Sequence, residues 1–64
     1  MLRDFLDDIL SFIGSESLTD EEYNALPEGL TEEYTKAGYD ALKAVLQERD
    51  TVSGQLQKLN AFYV

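Results

Sequence analysis

TEEYTKAGYDALKAVLQERDTVSGQLQKLNAFYV, residues 31–64, is the stretch whose reading decides the architecture. Tyr34, Gly38, Ala41, Leu42, Val45, Val52, Leu56, Leu59 and Tyr63 recur along it at intervals of three, four or seven. That is the stripe of an amphipathic helix, and Lys36, Asp40, Lys43 and Lys58 fall largely off it. The pattern predicts one long helix over about residues 32–61. A break near residue 50 is the alternative. Polar residues gather in 47–54, Gly54 costs about 1 kcal/mol relative to Ala in a helix, and Asp50 or Thr51 is able to start a new one.

Upstream, Leu2, Phe5, Leu6, Ile9, Leu10, Phe12 and Ile13 share the same period, with Asp4, Asp7, Asp8 and Ser11 on the other side. A first helix over about 2–13 follows, ended by Gly14 in the left-handed position that commonly closes helices. Leu18-Thr19-Asp20-Glu21-Glu22-Tyr23 then carries a capping box, Thr19 with Glu22, between the Leu18 and Tyr23 positions of a hydrophobic staple. This second helix, about 20–26, is kept short by Pro27, and Leu26-Pro27-Glu28-Gly29 fits a turn with proline second. Leu30-Thr31-Glu32-Glu33-Tyr34 repeats the start signal, so Thr31 is expected to cap the third helix and Tyr34 to staple it. The fold class expected is all-α: one domain, 1–64, of two short helices and a long third.

Length bears on function here. An unbroken 32–61 helix runs about 45 Å, against about 18 Å and 10 Å for the first two at the same rise. The short helices cannot shield the whole stripe of an unbroken third. In that case Val52, Leu56, Leu59, Phe62 and Tyr63 are the candidate partner-binding residues, touching another copy or a larger protein. If the helix breaks, a four-helix globule becomes possible and the stripe is internal.

Composition sets the remaining bounds. The 64 residues hold 13 acids against 5 bases, a net charge of −8, with no His, Cys or Trp. Residues 1–33 carry ten of the acids against Arg3 alone, a net of −9, and residues 34–64 are nearly neutral. A field of that sign repels phosphate backbones and anionic lipid, so neither direct nucleic-acid binding nor membrane association is expected. Met1–Ile13 is interrupted by three aspartates, which suits neither a secretory core nor a membrane span. A soluble, intracellular chain is expected.

Little catalytic chemistry is on offer. Without thiol or imidazole there is no zinc set and no Cys- or His-based nucleophile. Asp4 with Asp8 and Glu28 with Glu32 are spaced to share a helix face, but a small helical chain has no deep cleft to hold paired carboxylates apart. No calcium loop, Gly-rich phosphate loop or Ser-x-x-Lys pair occurs. No enzyme activity, metal or cofactor is expected.

What remains is surface for partners. Four tyrosines and three phenylalanines are a generous aromatic supply, and aromatics are enriched at interfaces. The expected function is a non-enzymatic helical interaction protein, assembling with itself or onto a larger complex. The alternative is an acidic inhibitor of a basic, nucleic-acid-binding groove, presenting Asp20, Glu21, Glu32 and Glu33. In compactness and acidity the chain resembles the small accessory proteins of bacteriophages, among them virion components and host-targeting inhibitors. That resemblance implies a structural or inhibitory role and makes a virion location possible.

Overall fold

A computed structural model describes residues 1–50 and 53–63. Four helices, α1 (Leu2–Phe12), α2 (Asp20–Asn24), α3 (Lys36–Glu48) and α4 (Ser53–Tyr63), make up the fold, and no strand occurs among the described residues. The all-α reading holds, but the long third helix is two helices.

The local start and stop signals work as chemistry requires. At the end of α1, the Ser15 amide donates to the Leu10 carbonyl at 2.8 Å and the Gly14 amide to Ser11 at 3.0 Å. With Gly14 at φ +80° this is a Schellman closure, which satisfies carbonyls that the helix end leaves free. At α2 the capping box is complete: the Glu22 amide donates to Thr19 Oγ1 at 3.1 Å, and the Thr19 amide to Glu22 Oε1 at 2.9 Å. Leu18 is buried and Tyr23 packs against the same core. The helix stops at Asn24, two residues short of expectation, and the chain turns at Glu28–Gly29 with Gly29 at φ +86°.

Two expectations are corrected. Thr31 does not cap α3; Thr35 does, accepting from the Gly38 amide at 3.3 Å. Residues 31–35 stay non-helical, pinched by a Thr35 amide to Glu33 carbonyl bond of 2.9 Å. This course sets Tyr34 among other aromatic rings instead of against its own cap, so long-range packing overrides the nearer start signal. At the other end, α3 finishes at Glu48, and Asp50 adopts φ +56°. Aspartate is among the few residues that enter this left-handed region at modest cost. The helix therefore breaks there, and α4 packs back on α3.

The return is close. A Cβ placed on Gly38 would stand 3.2 Å from the Tyr63 hydroxyl, so α3 meets the end of α4 at a position where a side chain would crowd it. Leu59 fills the interior as a result. The core comprises Leu6, Ile9 and Leu10 of α1, Ile13 at its C-terminal cap, Leu18 just before α2, Leu42, Val45 and Leu46 of α3, and Leu59 of α4. Among the described residues no polar side chain is buried with them.

Candidate protein-interaction surfaces

The reversal at Asp50 decides the fate of the C-terminal stripe. Leu59 has no exposed surface, and Leu56, Phe62 and Tyr63 are half-buried against the chain's own core. Val52 lies outside the described residues. The premise that the short helices leave this stripe uncovered required an unbroken third helix. Folded back, its described members pack on the chain's own core, and Leu56 keeps partial exposure, as do the last two aromatics, Phe62 and Tyr63.

Those two join an aromatic cluster that spans three parts of the sequence. Tyr34 stands between Phe5 and Phe62, with ring centroids 5.2 and 5.3 Å apart. Phe12 meets Phe62 edge-on at 5.0 Å, and Tyr63 touches Tyr34 at 6.0 Å and Tyr39 at 5.5 Å. These separations and tilts are those favoured by ring quadrupoles. Burial pushes the Tyr63 phenol above its ordinary pKa. Phe12, placed on the core face by its spacing, is instead 73% exposed, and Tyr34 is 56% exposed. Phe5, Asp8, Ile9, Phe12, Tyr34 and Phe62 line a shallow hollow of about 220 Å³. The outcome is a surface patch of stacked rings with two of its members mostly in water.

The four residues of the proposed acidic face divide into two kinds. Asp20 accepts from Arg3 at 2.7 Å, and Glu32 lies 2.9 Å from the Met1 amine, so both gather around the first turn of α1. Glu21 and Glu33 are exposed. Among the described residues no three acids converge as a metal site.

At the opposite end of α3, Arg49 holds the molecule together in a way the sequence did not disclose. Its guanidinium donates to both carboxylate oxygens of Glu22, one of them at 2.8 Å, and to Ser15 Oγ at 3.1 Å. It also donates to the carbonyls of Glu16 and Ser17 at 2.7 and 2.9 Å. One planar fork thus ties the α1–α2 link and the α2 cap to the end of α3. The Arg49 bonds, aided by the Thr19 amide, hold the Glu22 carboxyl down to a pKa of about 2.

Beside this clamp runs a groove of about 540 Å³. One wall is α3, whose Ala37, Ala41 and Ala44 recur at helical spacing; the other is the 25–30 turn with Leu26, Pro27 and Leu30. Glu28, Asp40 and Glu48 stand along it, and no basic residue lines it. The turn at Leu26–Gly29 was legible in the sequence; the Ala37 and Ala44 face of α3 that it walls was not singled out. No protein-family model, curated protein or solved structure matches the chain.

Proposed function

We propose that the protein is a non-enzymatic helical interaction protein that docks onto a larger protein partner, as a cytoplasmic or virion component. The exposed aromatic patch carries this reading. Phe12 meets Phe62 edge-on and Tyr34 leans on Phe5 and Phe62, while most of the surface of both stays in water. Exposed aromatics are enriched in protein interfaces and are frequent centres of binding energy there. A foreign partner suits the patch better than a second copy. Asp8 lines it, so two patches face to face bring like charges together.

The test is photo-crosslinking in the native host with p-benzoylphenylalanine in place of Phe12. A discrete adduct that disappears when Tyr34→Ser is added supports docking through the patch. An adduct of twice the chain's mass assigns the patch to self-assembly. Absence of any adduct contradicts the reading.

A second reading, an acidic inhibitor of a basic groove, draws support from the exposure of Glu21 and Glu33 beside the paired Asp20 and Glu32. Its signature is target binding that weakens steeply with salt and with charge reversal at these four positions.

A further inference from the structure

We infer that the groove between α3 and the 25–30 turn is a second docking site, and that it takes a basic amphipathic helix of a partner protein. The groove shares no lining residue with the aromatic patch, so the two sites stand or fall separately.

The chemistry of the walls selects the occupant. Ala37, Ala41 and Ala44 sit at i, i+4 and i+7 on α3, and Leu26 and Leu30 face them from the turn. Small side chains along one helix face let a second helix axis approach to about 8 Å, at the near end of the usual packing range. The length from Ala37 to Glu48 is about 16 Å, three turns of a helical ligand. An extended peptide has little to gain here. The amides and carbonyls in the middle of α3 are spent within the helix, so no free backbone edge is offered for strand addition. Affinity must come from apolar side chains laid along the groove, which is how amphipathic helices are captured.

Charge then fixes which helix. Glu28 rises from the turn and Glu48 from the last turn of α3, where the helix dipole adds further negative potential. Lys36 offsets Asp40 at 2.9 Å, and Arg49 offsets Glu22, so Glu28 and Glu48 set the sign of the rim. A ligand helix with an Ala/Leu face and Lys on both flanks matches this arrangement; the same face flanked by Glu is repelled.

The experiment uses the full chain and a fluorescently labelled synthetic 16-mer helix with an Ala/Leu face and Lys flanks, read by anisotropy. Its Glu-flanked counterpart is the control probe. The wild type is expected to bind the Lys-flanked peptide and not the Glu-flanked one. Ala44→Arg fills the groove from an exposed position and is expected to abolish binding with helix content unchanged by circular dichroism. Glu28→Lys with Glu48→Lys is expected to weaken binding about tenfold or more, because two attractive rim charges become repulsive. Glu21→Lys with Glu33→Lys imposes the same net charge outside the groove and is expected to cost far less. Equal losses from the two charge pairs would mean only general attraction to an acidic protein and overturn the site. Undiminished binding by Ala44→Arg, or no binding by the wild type, overturns it as well. The crosslinking test uses none of these variants, so failure here leaves it intact.

Discussion

The two ends of α3 are finished by opposite kinds of interaction. At its C-terminal end, Arg49 makes directional, charge-assisted bonds to one carboxylate, one hydroxyl and two carbonyls. Every donor direction has an acceptor, and the fork leaves only 16% of its side-chain surface exposed. At the N-terminal end, five rings from α1, the α3 lead-in and α4 lean on one another without a single hydrogen bond between them. Ring contacts tolerate partial exposure, whereas a charged fork works best when all its partners are present. The first end is therefore closed structure, and the second is structure with spare surface.

Removing the fork should have the largest effect. Arg49→Ala strands Glu22 and unties the 15–17 link, and is expected to cost about 2–4 kcal/mol, read from urea unfolding. Arg49→Lys should recover only part of that, because an ammonium cannot engage both Glu22 oxygens and the link carbonyls together. A loss under about 0.5 kcal/mol would show the two ends to be equally dispensable.

Acid probes the same end. The Glu22 carboxyl titrates near its ordinary value of about 4.5 when unfolded and at about 2 when folded. Its contribution is full above pH 4.5 and falls away as the pH drops toward 2, because the unfolded chain takes up the proton first. Urea midpoints measured across that window should decline more steeply in the wild type than in Arg49→Ala. Parallel curves would remove Glu22 from the account.

Next in size is the α2 cap. Thr19→Ala removes the acceptor 3.1 Å from the Glu22 amide and should cost about 0.5–2 kcal/mol. Ser17→Ala alters a side chain that makes no described bond and should change stability little. Equal effects would show that the cap is not what orders this end.

At the aromatic end the smallest effect is the informative one. Phe12→Ser should shift stability by no more than about 0.5 kcal/mol, as expected for an exposed position. A loss of several kcal/mol would make Phe12 core and close the patch.

The difference between the ends also explains what could be read from the sequence. The Thr19–Glu22 box and the Gly14 closure span three to five residues, so both were legible. The inward face of α3 was legible too, apart from Leu46, because periodicity reports burial directly. Arg49 was not, since its partners lie 27–34 residues away and no local pattern announces them. Thr31 and Thr35 offer the same capping chemistry, and only the ring contacts of Tyr34 choose between them. The break at Asp50 was foreseeable as an alternative and was settled by Leu59, whose burial requires α4 to return. For the same reason Phe62 and Tyr63 could be singled out by sequence, while their neighbours Phe5, Phe12 and Tyr34 could not be joined to them.

The central claim is that the chain reverses at Asp50 and covers its own C-terminal stripe. The rings of Tyr39 and Tyr63 report it most directly, standing 5.5 Å apart in the reversed chain. In an unbroken helix the same residues would be about 36 Å apart, at 1.5 Å for each of the intervening steps. Isotope-filtered NOE spectroscopy on a mixture of labelled and unlabelled protein separates contacts within a molecule from contacts between molecules. Cross-peaks between the Tyr39 and Tyr63 ring protons are expected, and they should arise within single chains. Their absence, or their appearance only between chains, would contradict the reversal and return the Leu56 and Leu59 stripe to an interface with another molecule.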